Sequence, residues 1–443
     1  MAIDRLPELV ALDAGGDGVR IPPGDTVPLT PRVRALIDTP PLRRLARISQ
    51  LGLVALVYPG ATHSRFEHSL GVYRLALEFL RRLQRESRFT DVVSERDAAA
   101  FVAAALLHDV GHWAYCHPVE DMGLPEIPSH ESLLPGILAQ DEIATVLVKE
   151  WRLDPGRVAG LVAGTATDHA GRLLQSLLSG PIDVDKMDYL ARDSLHAGVP
   201  YGRHFDQERL LGSLCLDARG ESLAITSKGR TAAELMVFAR YVMFSEVYWH
   251  HAVRAATAML QRAIWTVRPV IVPTELIRTD DHAFASWLSR AASGTAAEPI
   301  VAGLFGPVRR LFKRVASFDA IHAPAVHRAL AGRSHGEMVA VSARLAEAVS
   351  RRIGRLVNAA TLIVDAPPAE REVEFRLQIR EEPLSSGPAW RPLDAVSPVV
   401  RSLAHEQFDN LVKRVRIFAP PDDALAIKSI AGVDEILLEA SVG

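Results

Sequence analysis

Apolar residues recur at helical spacing from about Val33 to about Val267, and this pattern predicts a mainly α protein. Residues 64–85 form the first clear amphipathic helix, with Phe66, Leu70, Tyr73, Leu77 and Leu80 on one stripe. Residues 98–112 are nearly all apolar until they reach a polar cluster, which predicts a buried helix carrying polar groups at its end. Residues 185–197 give a third helix, and 231–264, with neither Pro nor Gly, predict one long helix. Short apolar runs at 214–216 and 222–226, around the turn residues 218–220, predict a small hairpin.

The ends of the chain have a different texture. Up to about Pro31, scattered Gly and Pro predict loops or short strands. After Arg268 comes a Pro-flanked break at 270–273, then mixed helix to about Arg355, of which 338–353 is the clearest piece. Strands are predicted at 361–364, 373–379 and 415–418, and a helix at 423–432 after Pro420 and Pro421. The expected organisation is a helical core over 1–268, a helical extension over 269–358 and a small α+β region over 359–443.

Composition narrows the function classes. With 443 residues, 48% hydrophobic and 23% charged, the chain has material for two or three packed domains. A formal charge of −3 argues against a protein built mainly to hold nucleic acid, although a local basic pocket stays open. Cys116 and Cys215 do not make a disulfide framework, the start has no secretory-signal pattern, and no uncharged apolar run reaches the roughly 18 residues of a membrane span. Together these predict a cytoplasmic protein without a membrane partner.

Histidine carries the chemistry. Nine of the 16 histidines lie between His63 and His204, in the stretch that also holds the acidic motifs. His108-Asp109 closes the apolar run Phe101–Leu107 and is followed by Val110-Gly111-His112. Such a pair can ligate a divalent ion, and a buried carboxylate needs a cation beside it. A polar helix end is the alternative reading. Arg65 and His68, three apart, share a helix face. Asp185, Tyr189 and Asp193 fall four apart, with His196 three further on, so they form either a solvated stripe or the wall of a polar pocket.

The order His68, His108-Asp109, Asp185 resembles the signature of the HD superfamily of metal-dependent phosphohydrolases. The blocks Tyr58–Gly71 and Asp183–Asp193 resemble its branch containing deoxynucleoside triphosphate triphosphohydrolases, and the likeness runs from about Ile37 to Val253. It implies an all-α HD core. It also implies that His68, His108, Asp109 and Asp185 hold a metal, and this set suits Mn, Mg, Fe or Co. Arg65 and Lys186 then correspond to cationic contacts with a triphosphate, and His112, His117 and His130 to histidines beside the α-phosphate. His117 is the preferred donor of a proton to the leaving oxygen, and His130 reads equally as the start of a helix. Gln50 and Leu51 match residues packed on the sugar, Tyr189 and Asp193 contacts to its 3′-hydroxyl, and Arg240 and Tyr248 a phosphate contact and an aromatic beside the base. Tyr248 reads equally as core. His63 and His169 are taken as structural.

The implied reaction is attack of water on the α-phosphorus of a deoxynucleoside triphosphate, giving a deoxynucleoside and tripolyphosphate. Homo-oligomers are usual in the branch. The sequence departs from its animal members at Ala46, where an arginine helps bind an activating guanine nucleotide, and at Arg43, which replaces a glutamine, while Asp38 is retained. Met187 stands for a common tryptophan and His251 for a frequent lysine. Two rival readings stay open: an HD-type nucleotidase or phosphatase on other phosphate esters, and a nucleotide-binding protein without turnover.

Overall fold

A computed structural model describes residues 3–15, 18–368, 377–381 and 389–442. The protein is mainly α, as the hydrophobic pattern predicts. Helices are numbered below in chain order among those named.

The first element departs from expectation. Pro7–Ala14 is a helix (α1), which was missed because its anchor is tertiary. Glu8 is buried and accepts hydrogen bonds from Thr30 Oγ1 (2.6 Å) and Arg32 Nε (2.8 Å), contacts that no local pattern announces. The short strands expected in this region are present: β1 (Gly18–Ile21) pairs antiparallel with β2 (Asp25–Pro28).

Three helices frame the centre. In α2 (Arg65–Leu83), Ser64 caps the N-terminus by accepting from the Glu67 N–H. In α3 (Glu95–Leu107), Ser94 and Asp97 form a reciprocal capping box. Residues 98–107 of α3 are wholly buried, and alanines at six of these positions let neighbouring helices approach closely. The short α4 (Cys116–Glu120) and α5 (His130–Leu138) follow. In α6 (Val184–His196), the Asp183 side chain accepts from the Lys186 N–H. Both α3 and α6 pack against α2, so the His-Asp end of one meets the acidic face of the other.

The long helix expected over 231–264 is broken. It runs as α7 (Arg230–Met243), a π-helical turn at Phe244–Tyr248, and α8 (His251–Val267). Tertiary contacts hold the break. The Trp249 carbonyl accepts from Arg416 Nη2 (3.1 Å), Arg254 stacks on the Trp249 ring at 4.6 Å, and the His250 side chain caps α8 by accepting from the Ala252 N–H.

Strands assemble into two further sheets. The predicted hairpin exists as β3 (Leu214–Leu216) and β4 (Leu223–Thr226), in antiparallel register. Strand β5 (Lys313–Phe318) lies where mixed helix was expected, flanking β9 (Val415–Ala419), whose other neighbour is β6 (Ile363–Asp365). Strand β7 (Gln378–Glu381) pairs parallel with β4 and carries β8 (Ala389–Pro392) on its other side. The predicted strand at 373–379 lies outside the described residues up to 376. Residues after 359 therefore divide between two sheets, one of them shared with the hairpin of the helical core. The helix expected at 338–353 is α9 (His335–Ile353), begun by a Ser334–Glu337 capping box, and that at 423–432 is α10 (Pro421–Lys428). Among the described residues, no helix is long and apolar enough to cross a membrane.

Candidate functional site

The start of α2, the end of α3 and the start of α6 bring four donor groups together. His68 Nε2 lies 3.2 Å from His108 Nε2 and 3.0 Å from Asp185 Oδ1. His108 Nε2 is 3.3 Å from Asp109 Oδ1 and 3.8 Å from Asp185 Oδ1. The tautomers follow from the outer partners. His108 caps α3 and its Nδ1 lies 2.9 Å from the Ala105 carbonyl, which can only accept. His68 Nδ1 donates to Asp188 Oδ2 at 2.8 Å. Both Nε2 atoms are therefore lone pairs, and they face each other and two carboxylates in a buried space. Four electron-rich atoms so placed repel unless a cation lies among them, and two imidazoles with two carboxylates are a competent ligand set for a divalent metal.

The ionisation of these groups reflects the same crowding. Burial opposes charging of His68, but hydrogen bonds to Asp185 and Asp188 outweigh it and push the ring up to about 10. Burial likewise opposes ionisation of Asp109 and Asp185, but neighbouring histidines (and Arg65, for Asp109) hold both below the usual carboxylate range. Arg65 Nη1 donates to Asp109 Oδ2 at 2.9 Å.

Beyond Arg65 lies a second group of histidines. Tyr115, with φ 55° in a region uncommon for a non-glycine residue, turns the chain into α4 and aims His117 back toward His112. Its ring is held against Phe284 and Phe305. His112 Nε2 and His117 Nε2 are 3.2 Å apart, and the rings of His112 and His130 lie 3.9 Å apart. His130 Nδ1 donates to Glu120 Oε2 at 2.9 Å, and Glu120 also accepts from the His130 backbone N–H. Gly111 permits this packing, since a β-carbon there would lie 2.3 Å from the His130 carbonyl oxygen. Burial and then the charge of Arg65 hold His112 well below its ordinary value, and the confined pocket, Arg65 and His130 lower His117, whose side chain stays half exposed.

One cavity of about 410 Å³ joins both groups. Arg65, His68, His108, Asp109, Asp185, His112, His117 and His130 line it, with Gln50, Tyr189 and Tyr248 on the remaining wall. Gln50 enters because residues 48–50 run alongside 63–65, with Gln50 N–H bonded to the His63 carbonyl and Arg65 N–H to that of Ile48. Its Oε1 is buried without a hydrogen-bond partner among the described residues.

Four of the expected site residues do not line this cavity. Leu51 lines an adjoining hollow of about 240 Å³ that shares Gln50, Arg65, His117 and Tyr248 with it. Lys186 turns back to Asp183, Nζ to Oδ2 2.6 Å. Asp193 is buried behind the wall, its two oxygens taken by His63 Nε2 (2.9 Å) and Tyr248 OH (2.6 Å). Arg240 lies over the Phe244 ring, near Tyr189 and Tyr248. His63, read as structural, is buried and stacked on His196 at 4.3 Å, and His169 Nε2 lies 2.8 Å from the Gly220 carbonyl. Sequence reasoning missed Asp188 and Glu120, the carboxylates that orient His68 and His130. The signal for Asp188 is Gly71 on the facing helix, since a β-carbon there would lie 2.0 Å from Asp188 Oδ1.

Comparison with known proteins decides the family. A family model described as the HD domain matches residues 65–193, and one described as the HD associated region matches residues 205–438, more than half of the chain. The chain belongs to the HD-domain family. The uncharacterized protein YwfO of Bacillus subtilis is 38% identical over 230 residues, covering 52% of this chain and 50% of that protein. Human deoxynucleoside triphosphate triphosphohydrolase SAMHD1 is 30% identical over 258 residues, 51% of this chain and 40% of the human protein. The chain spans about half the length of the curated relatives it matches. Its HD fold is shared with a hypothetical protein from Aquifex aeolicus (TM-score 0.69, 24% identity, 93% of this chain and 99% of that one). It is shared also with a phosphohydrolase from Bacteroides thetaiotaomicron (TM-score 0.68, 22% identity, 91% and 100%).

Proposed function

We propose that this chain is a metal-dependent phosphohydrolase, and that its substrate is a deoxynucleoside triphosphate. The carrying observation is the single cavity in which four metal-competent donors, Arg65 and three histidines meet a wall of Gln50, Tyr189 and Tyr248. His68, His108, Asp109 and Asp185 would hold Mn, Mg, Fe or Co. A divalent ion there supplies Lewis-acid polarisation of a phosphoryl oxygen and lowers the pKa of water.

The remaining chemistry belongs to side chains. Arg65, fixed by Asp109, offers its other guanidinium edge to the non-bridging oxygens of a phosphate. His117 is the group that gives a proton to the leaving oxygen. It is neutral near pH 7 when the pocket holds no anion, and a phosphate beside it raises its proton affinity where the proton is needed. His112, its Nδ1 turned to the Asp109 carbonyl, accepts from His117 through Nε2 and orients that ring, and Glu120 keeps His130 in the tautomer whose Nε2 can accept. Gln50 and Leu51 close on the sugar, so that a 2′-hydroxyl would clash or lose its water. Tyr189 lines the sugar end, with Asp193 behind it and Tyr248 between Asp193 and the base. The products are a deoxynucleoside and tripolyphosphate, and we propose a homo-oligomeric enzyme.

One observation favours a second reading. Of the two cations expected at the triphosphate, Arg65 lines the cavity while Lys186 is paired with Asp183. A nucleotidase or phosphatase on smaller phosphate esters would need only Arg65. A panel of deoxynucleoside and nucleoside tri- and monophosphates with Mn, Mg, Fe and Co separates the two. Tripolyphosphate as first product supports the triphosphohydrolase, and orthophosphate supports the rival. Tight binding without product under every metal would leave a nucleotide-binding protein.

A further inference from the structure

We propose that Cys116, His112, His117 and His130 form a separate zinc site, distinct from the His68–His108–Asp109–Asp185 centre. One donor atom from each of the four side chains lies within 4.8 Å of the other three. Bond lengths of zinc to nitrogen and thiolate sulfur set tetrahedral donor separations of about 3.4 Å. The His112–His117 pair is already at 3.2 Å, and the widest pair needs to close by at most about 1.4 Å.

The ring orientations suit a metal. His112 Nδ1 lies 3.2 Å from the Asp109 carbonyl oxygen, and His130 donates from Nδ1 to Glu120, so both present Nε2 lone pairs inward. His117 reaches the matching tautomer by moving its proton to Nδ1, which lies 3.9 Å from Glu120 Oε2. Glu120 is thus the outer carboxylate of His130 and a near neighbour of His117, and an outer carboxylate is the usual support of a histidine-bound metal. Cys116 supplies the soft ligand that the neighbouring centre lacks, and a cysteine with three histidines selects zinc over magnesium or manganese. Binding replaces the thiol proton by the metal: Cys–SH and Zn²⁺ give Cys–S–Zn⁺ and H⁺.

The site stands on geometry alone. Its consequence rests on the proposed function: zinc on His117 would remove the proton donor, so zinc would inhibit while a hard ion at the neighbouring centre supports turnover.

The test is cobalt titration of the chelator-stripped, full-length chain, read by absorbance. Wild type should take up two equivalents, with a sulfur-to-cobalt charge-transfer band that zinc abolishes. Cys116→Ser, checked by circular dichroism, should lose the band and keep one equivalent. His130→Ala should also lose it. His68→Ala and Cys215→Ser should retain it. Absence of the band in wild type, or its survival in Cys116→Ser, overturns the proposal. Zinc inhibition should weaken in Cys116→Ser by at least about 10- to 100-fold, since losing even an outer partner of a metal ligand costs that much. A cobalt–sulfur band without zinc inhibition would leave the zinc site standing and refute the catalytic role given to His117.

Discussion

His68 gives its Nδ1 proton to Asp188 across 2.8 Å, and Arg192 grips the same carboxylate with two bonds of 2.8 Å from within α6. The orientation of a candidate ligand on one helix is therefore set by an ion pair on another. Asp188→Asn should keep the shape, lose the Arg192 pair and lower metal affinity about 10- to 100-fold. Isothermal titration with Mn²⁺ checks this. Wild-type affinity in the variant would reduce Asp188 to a packing role.

Gly71 is the position that admits this arrangement. A β-carbon there would lie 2.0 Å from Asp188 Oδ1 and 2.3 Å from Arg192 Nη2, and both groups are buried and bonded to each other, so retreat would break the pair. Gly71→Ala should destabilise the fold by about 1–3 kcal/mol and weaken metal binding with it. Thermal melting and metal content, measured together, decide this. A variant with unchanged melting and full metal would contradict the close approach.

The expected donor set comes from the likeness to the HD signature, and the helices that carry it obey local rules. Caps at Ser64, Ser94 and Asp183 and an unbroken apolar run at 98–107 fix where α2, α3 and α6 begin and end, and hence where His68, His108 and Asp185 stand. What could not be read depends on partners far along the chain. The break at Trp249 needs Arg416, α1 needs the buried Glu8 to meet Arg32, and the parallel pairing of the predicted strand β4 with β7 depends on residues 378–381. Lys186 illustrates the same limit inside the site. Its position matched a phosphate contact, yet Asp183, three residues earlier on the same helix, holds the ammonium.

Arg254 and Asp365 tie α8 to β6 through two hydrogen bonds, of 3.1 and 2.6 Å, in a buried setting. Asp365→Ala would leave a guanidinium buried without its carboxylate, at a cost of about 3–5 kcal/mol. The proposed division at 359 falls close to this contact. Because the pair joins the two sides, the variant should lower a single unfolding transition rather than split off an early one. Calorimetry distinguishes these outcomes, and an early separate transition would favour an independently folding region after 359.

His335, the first residue of α9, lies against Trp265 with ring centroids 5.4 Å apart. Burial, and then the charge of Arg262, lower it to about 4. The folded value lies below the unfolded value of roughly 6.5, so the unfolded chain binds a proton that the folded chain refuses. Stability from this group is therefore complete above about pH 6.5, falls as pH drops toward 4 and levels off below it. His335→Gln should flatten the melting temperature against pH between about 6.5 and 4 without abolishing the slope. Parallel slopes in wild type and variant would refute the assignment.

Tyr248 donates to Asp193 Oδ2 at 2.6 Å while His63 takes the other oxygen, so the carboxylate is held between a wall residue and a buried ring. If Asp193 serves the sugar end of the substrate, the tyrosine hydroxyl fixes its orientation, and removing it leaves one buried oxygen unpaired. A hydrogen bond to a charged group is worth about 1.5–3 kcal/mol, which corresponds to roughly a 10- to 100-fold loss in kcat/KM for a deoxynucleoside triphosphate. Because the contact acts on substrate seating rather than on the reacting phosphorus, Tyr248→Phe should raise KM more than it lowers kcat, with metal content unchanged. Equal loss on a small phosphate ester that has no sugar would place the effect at the phosphate instead, and would turn the argument toward the smaller substrate.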